Sequence, residues 1–116
     1  MKLYDAAYPA PNPRRVRMYL AEKGITDVQL VPVDLRKGES RSPEILAKNP
    51  MGGIPFLELD DGTVISESLS ICRYFEELNP EKPLFGSSAL ERAVVDMWAR
   101  KIDLGLMNSV GQVWIH

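Results

Sequence analysis

The chain has 116 residues, of which 45% are hydrophobic and 26% charged, and its formal net charge is -2. This length holds one domain and part of another, since domains typically contain roughly 100 to 150 residues, and the weak negative charge argues against nucleic acid as a partner. The apolar runs are far shorter than the roughly 20 residues of a membrane-spanning helix, and no secretory signal follows Met1. We therefore expect a cytoplasmic globular protein without membrane contact.

The chain contains one cysteine, Cys72, which excludes an internal disulfide and a cysteine metal cluster. Cys72 lies within a helical apolar pattern and lacks the Cys-x-x-Cys spacing of disulfide chemistry. We expect it to be a small buried apolar residue, and we expect no metal site.

The first elements in chain order predict a strand, a loop, a helix and a second strand. Lys2–Asp5 is the first strand, and the three prolines of residues 6–13 predict a stiff loop. The pair Asn12-Pro13 offers an N-cap oxygen and a proline for the first helical position, and Gly24 ends this helix. The apolar, partly β-branched segment Gln29–Val33 predicts a second strand that pairs in parallel with the first, because a helix separates the two.

A second helix, a hairpin and a third helix follow. Ser42 and Pro43 predict the start of a short helix that closes near Asn49. The triplet Asp60-Asp61-Gly62 predicts a hairpin between two short β-prone runs, 56–59 and 63–65. From about Glu67 to Leu78 the apolar residues follow a helical period. The order β-α-β-α-β-β-α with a mixed four-stranded sheet predicts a thioredoxin-like α/β domain over residues 1–79.

The prolines of residues 80–87 predict a linker to a second, all-α domain. Ser88 and Glu91 have capping-box spacing, and apolar residues at steps of three and four continue to Trp114. We expect residues 88–116 to form the first helix of that domain. One such helix has little to pack against, so we also expect the chain to be a fragment whose apolar helix face, Leu90 to Trp114, is covered by further helices or a second subunit.

Three segments together resemble the glutathione-site signature of the cytosolic glutathione transferase family: Asn49–Pro55, the pair Glu67-Ser68 and Arg14–Val16. The resemblance covers the whole chain. It implies that Pro55 follows a cis peptide bond and that the backbone of Ile54 pairs with glutathione like an added strand. It also implies that Ser68 binds the γ-glutamyl carboxylate and that Glu67 faces the γ-glutamyl ammonium.

Each of these residues also has a purely structural reading. Pro55 could be a trans proline at the start of a strand. Ser66 or Ser68 could cap the third helix while Glu67 complements its dipole.

Two parts of the family pattern differ in this chain. The family often has a lysine, glutamine or histidine just before the cis-proline pair to hold the glycine carboxylate of glutathione, whereas this chain has Gly52 and Gly53. Four basic residues are candidate substitutes: Arg36, Lys37, Arg41 and Lys48. At the thiol end, Ala10 stands at the usual serine position and Pro13 at the usual cysteine position.

Asn12 and Tyr8 are the nearby polar side chains at the thiol end. Because some bacterial classes of the family use an asparagine in this region, the resemblance implies a bacterial-type class in which Asn12 stabilises the thiolate. Tyr8, or backbone groups alone, are the alternatives.

The resemblance implies a transferase that binds glutathione as a substrate and activates its thiol for attack on an electrophilic small molecule. It also implies a homodimer. A non-catalytic binding or scaffold protein of the same fold is the main alternative, and a glutathione-dependent disulfide reductase is less favoured because the loop lacks a cysteine.

Overall fold

The structure, a computed structural model, describes residues 1–115 and the side chains of residues 1–113. The strands are β1 (Lys2–Ala6), β2 (Gln29–Val33), β3 (Phe56–Glu58) and β4 (Val64–Ser66). The helices are α1 (Pro11–Lys23), α2 (Pro43–Lys48), α3 (Ser68–Leu78), α4 (Ala89–Lys101) and α5 (Asn108–Ile115), with a π-helical segment, Ile102–Met107, between the last two. The chain forms two compact units, Met1–Phe75 and a second unit that begins at Glu76. The domain boundary at residue 79 stays a prediction.

The four strands form one mixed sheet in the order β2-β1-β3-β4. Strand β1 pairs in parallel with β2, as expected for strands separated by a helix, and in antiparallel orientation with β3. Strand β4 is antiparallel to β3 across the predicted hairpin. The predicted thioredoxin-like α/β fold with a mixed four-stranded sheet is confirmed.

The core lies where the central strands β1 and β3 meet the helices. Leu3, Phe56 and Leu57 are fully buried, and the rings of Tyr4 and Phe56 stack with their centroids 4.2 Å apart and their planes 13° apart. Helix α3 contributes Ile71 and Phe75, which are four residues apart and so lie on one helix face. Cys72 beside them is buried, as expected.

The start of α1 differs from the prediction. Asn12 is the second helical residue, and the N-cap is Ala10, which makes no side-chain hydrogen bond to the helix. The prediction was wrong because it assigned Pro11 to the preceding loop, whereas a proline in the first turn lacks only an N–H group that has no intrahelical acceptor. The helix ends at Gly24 in the left-handed conformation (φ 69°), as predicted. Ser42 caps α2 by accepting a hydrogen bond from the Ile45 N–H, also as predicted.

The second unit begins its main helix as predicted, because the Ser88 hydroxyl accepts a hydrogen bond from the Glu91 N–H. The single long α-helix predicted to follow was wrong, since the π-helical segment Ile102–Met107 interrupts it. This segment contains Gly105, and glycine has a low intrinsic helix propensity. Within residues 1–115, no helix is both long and apolar enough to cross a membrane.

Large apolar side chains of the second unit are exposed to solvent. They include Leu90, Val94, Trp98, Ile102, Leu106 and Val110. The predicted place of Trp114 on this face lies outside the described side chains.

A small polar cluster ties α2 to β3 beside the core. The Lys48 Nζ donates hydrogen bonds to the Glu58 Oε2 at 2.6 Å and to the Tyr4 hydroxyl at 2.8 Å, and the Tyr4 hydroxyl donates to the same carboxylate at 3.1 Å. The hydrogen bond from Lys48 is the main reason that the pKa of Glu58 lies below its usual value. Two of the three N–H donors of Lys48 are therefore engaged within the protein.

Because the folded-state pKa of Glu58 is lowered, its ionised carboxylate stabilises the fold above the usual glutamate pKa, and this stabilisation is lost as the pH falls through the lowered value. We expect Glu58→Gln to lower the free energy of unfolding at neutral pH and to lose this difference from the wild type in acid. Denaturant unfolding over a pH series measures the difference, with Glu22→Gln, an exposed carboxylate of α1, as the control. A difference that stays constant over the whole pH range would contradict this role.

Candidate functional site

The segment before β3 is held rigidly by its own hydrogen bonds. Asn49 is buried, and its Nδ2 donates to the Gly53 carbonyl at 2.8 Å, while the Gly52 N–H donates to the Asn49 carbonyl at 2.8 Å. Gly52 has a φ of 65°, and a Cβ there would lie 2.9 Å from the Ser40 carbonyl oxygen. Only glycine fits this position without a shift of the backbone. The loop therefore presents Ile54 from a fixed position.

The peptide bond between Ile54 and Pro55 is cis, which is the geometry that the family resemblance implies. Pro55 is buried and Ile54 is half-buried. The paired residues of β3 begin at Phe56, so Ile54 precedes the strand ladder. It therefore lies beyond the amino end of the central strand β3, where its backbone is outside the ladder and an extended ligand could pair with it.

Helix α3 begins with an unusual backbone conformation at Glu67. Its φ is 70°, in the left-handed region, which costs a non-glycine residue of the order of 1–3 kcal/mol and is concentrated at functional sites. The Glu67 carbonyl accepts the first intrahelical bond, from the Ile71 N–H, so Glu67 occupies the N-cap position and Ser68 is the first helical residue. The simple reading of Ser68 as an N-cap is therefore wrong.

The strand register brings these two segments together. Phe56 pairs with Ser66 across the antiparallel strands β3 and β4. Pro55 directly precedes one member of this pair and Glu67 directly follows the other, so the Ile54-Pro55 and Glu67-Ser68 segments lie side by side at one end of the sheet.

The loop after β1 reaches the same end of the sheet. Tyr4 pairs with Phe56 in antiparallel orientation, so the carboxyl end of β1 lies beside the amino end of β3. The Ala7 N–H donates to the Val33 carbonyl at 2.9 Å and ties this loop to the end of β2. Tyr8 and the start of α1, including Asn12, therefore belong to the same edge of the fold. Ligands commonly bind at the carboxyl ends of strands in open α/β sheets.

The amino end of α3 is suited to an anion. The N–H groups of its first turn have no intrahelical acceptor, and the helix dipole adds positive potential there. The described first turn contains no acidic residue. Ser68 is only 7% exposed, and its Oγ accepts a hydrogen bond of 3.0 Å from the Arg15 Nη1. Backbone N–H groups, a hydroxyl and a guanidinium thus converge at one point.

Tyr8 and Asn12 differ in their surroundings. Tyr8 is half-buried, and the guanidinium carbon of Arg36 lies 4.2 Å from the centroid of its ring, a cation–π distance. Asn12 is exposed in the first turn of α1. Pro11 and Pro13 on either side of it have no N–H, and the Arg14 N–H is bonded to the Ala10 carbonyl. In the first helical turn, the backbone N–H that has no acceptor within the helix is therefore that of Asn12.

The four basic candidates for the glycine carboxylate are separated by their contacts. Lys48 is bonded to Glu58 and Tyr4, Lys37 lies 3.9 Å from the Asp34 carboxylate, and Arg36 covers Tyr8. The Arg41 Nη1 lies 3.3 Å from the position that a Cβ atom would occupy at Gly52, which is two residues before Ile54. Arg41 is therefore the candidate that lies against the loop itself.

Sequence reasoning missed the contact between Arg15 and Ser68. The two residues are 53 positions apart, and no local pattern in a single sequence signals a side-chain bond at that separation. The Arg14–Val16 segment pointed to the right helix turn but not to this partner.

Comparisons with known proteins identify the family of the chain. The family model described as the glutathione S-transferase N-terminal domain matches residues 10–78. Glutathione S-transferase 2 of Saccharomyces cerevisiae is 43% identical over an alignment of 118 positions, which covers 100% of this chain and 50% of that protein. A maleylacetoacetate isomerase of Pseudomonas aeruginosa is 43% identical over 80% of this chain and 44% of its own length. The chain thus spans about half the length of these curated relatives.

The solved structures give the same answer for the fold. The crystal structure of a glutathione S-transferase domain-containing protein from Marinobacter aquaeolei VT8 superposes with a TM-score of 0.89 at 48% identity, covering 96% of this chain and 54% of that one. Because the family model spans most of the first unit and a relative is 43% identical over the whole chain, this chain belongs to the glutathione S-transferase family.

Proposed function

We propose that the protein binds glutathione in an extended form along Ile54 and holds its γ-glutamyl group at Glu67 and Ser68. The observation that carries this proposal is the register that sets these two segments side by side, next to the open amino end of α3. The α-carboxylate of the γ-glutamyl group meets the N–H groups and the Ser68 hydroxyl, and its ammonium meets the Glu67 carboxylate. The strained backbone of Glu67 supports the proposal, because such strain persists where function requires it.

The glycine carboxylate of glutathione faces Arg41 in this arrangement. An extended tripeptide that starts at Ser68 and passes Ile54 ends near the Gly52 side of the loop, where the Arg41 guanidinium lies. A guanidinium can bind a carboxylate with two parallel hydrogen bonds. Arg41 would then bind the glycine carboxylate, a role for which the family often has a residue just before the cis-proline pair.

Asn12 stabilises the glutathione thiolate at the start of α1. The two flanking prolines leave the first turn with the backbone N–H of Asn12, and its side-chain amide supplies further N–H donors. Hydrogen bonds and the positive end of a helix dipole both favour a thiolate over a thiol and so lower its pKa. Tyr8, whose hydroxyl is also a donor, is the competing residue.

We expect Asn12→Ala to raise the pKa of the bound glutathione thiol and Tyr8→Phe to leave it nearly unchanged. Titration of the thiolate absorbance of the bound ligand measures both, with the unfolding free energy of each variant determined separately. Asn12→Ala retains the backbone N–H, so the change isolates the side-chain amide. A pKa raised by Tyr8→Phe but not by Asn12→Ala would transfer the role to Tyr8.

The activated thiolate attacks an electrophilic small molecule, which makes the protein a transferase in this proposal. The relative named maleylacetoacetate isomerase favours glutathione-dependent isomerisation as a second candidate reaction. The absence of serine and cysteine at positions 10 and 13 favours a third, a non-catalytic binding protein of the same fold. Turnover assays of the whole protein with a generic electrophile and with maleylacetoacetate separate the three.

The remaining parts of the proposal concern assembly and location. Exposed apolar side chains such as Trp98 and Leu106 on the second unit are suited to packing against further helices or a second copy of the chain. On this basis we propose that the protein forms a homodimer. A cytoplasmic location agrees with a single, buried cysteine.

A further inference from the structure

We infer that Arg15 is a positioning residue that fixes the Ser68 hydroxyl as a hydrogen-bond donor toward the bound γ-glutamyl carboxylate. This inference rests on the proposed function and deepens it, because it assigns a role to a residue that need not touch the ligand. The contact that carries it is the 3.0 Å hydrogen bond from the Arg15 Nη1 to the Ser68 Oγ.

The direction of this bond follows from the chemistry of the two groups. A guanidinium has only donors, so the Ser68 oxygen must accept. A hydroxyl has one hydrogen and two lone pairs, and the bond to Arg15 occupies one lone pair. The hydroxyl hydrogen is therefore directed away from the guanidinium and is available to a second acceptor. A carboxylate, which has only acceptors when ionised, matches that donor.

Burial makes this orientation effective. Ser68 is 7% exposed, so few water molecules compete to reorient its hydroxyl. A donor that is already oriented in the free protein loses less entropy when the ligand binds.

An ion pair along α1 does not explain the placement of Arg15. It lies in the second turn of the helix, and the residues three and four positions away from it within α1 are not acidic. Arg15 makes further interactions within the protein, so a role in holding α1 near α3 is the competing explanation. The two roles predict different results when Ser68 is also removed.

The test is a double-mutant cycle on glutathione affinity, measured by calorimetry for the wild type, Arg15→Met, Ser68→Ala and the double variant. With Ser68 in place, we expect Arg15→Met to raise the Kd for glutathione about tenfold or more, as for loss of a charge-assisted hydrogen bond. In the Ser68→Ala background the same change should weaken binding far less, because the group that Arg15 orients is gone. Arg15→Lys, which keeps a charge and a donor, should restore part of the affinity.

Unfolding of each unliganded variant provides the stability readout, and Lys23→Met, at the far end of α1, controls for the loss of one positive charge. If Arg15→Met raised the Kd by the same factor with Ser68 in place as in the Ser68→Ala background, or did not change the Kd at all, the positioning role would be overturned. The proposed site would remain intact in either case. If the wild-type protein itself did not bind glutathione, the proposed function would fail first, before Arg15 came into question.

Discussion

Replacing Phe56 with alanine is expected to lower the free energy of unfolding by about 3–5 kcal/mol, the usual range for a fully buried phenylalanine. Phe56 is 0% exposed, and its ring stacks on Tyr4 at 4.2 Å. The ring packs in a cluster with Tyr4, Val33 and Ile45, and alanine would leave a cavity that these neighbours cannot fill without moving. Because whole domains are stable by only about 5–15 kcal/mol, we expect much of the variant to be unfolded at moderate denaturant concentrations.

Denaturant unfolding measures this loss, and Leu30→Ala is the matched control. Leu30 lies in the same sheet but on the edge strand β2, where it is 49% exposed, so its truncation should cost about 1 kcal/mol or less. Equal losses in the two variants would show that the sheet is not held by the core we describe. Because Phe56 directly follows Pro55, the variant should also lose glutathione binding in proportion to its unfolding.

Local signals in the sequence predicted most of the elements. Gly24 ends α1 because it can adopt a positive φ without strain, and the hydroxyl of Ser42 satisfies an N–H group of α2; both signals act within a few residues. The start of α1 was missed because proline has opposite effects in the first turn and in the interior of a helix. The π-helical segment after Lys101 was missed because the apolar spacing there suits a regular α-helix equally well.

The candidate site divides in the same way. Ile54-Pro55 and Glu67-Ser68 could be located from the sequence because each pair carries a recognisable local pattern. Which of the four basic residues lies against the Gly52 loop could not be predicted, since the answer depends on contacts distant in sequence. Lys48, for example, already donates hydrogen bonds to Glu58, ten residues away, and to Tyr4. Such contacts are set by the packing of the whole unit rather than by local propensity.

Replacing Ser68 with alanine is expected to weaken glutathione binding by about 1.5–3 kcal/mol, because the variant loses a hydrogen bond to a charged carboxylate. This corresponds to roughly a 10- to 150-fold rise in Kd. Ser68 is buried and lies where the register of β3 and β4 places Ile54 beside the start of α3. The helix N–H groups remain in the variant, so we expect weakened rather than abolished binding. Calorimetric titration with glutathione measures the change.

Ser70→Ala is the matched control, because Ser70 lies in the same first turn of α3 but is exposed. It removes the same hydroxyl group and should leave the affinity nearly unchanged. Glu67→Gln tests the other charge of the γ-glutamyl group: it preserves the size of the side chain and should also weaken binding, because an amide attracts the ammonium less than a carboxylate does. An affinity unchanged in both Ser68→Ala and Glu67→Gln would place the γ-glutamyl group elsewhere on the protein, even if glutathione bound to the wild type.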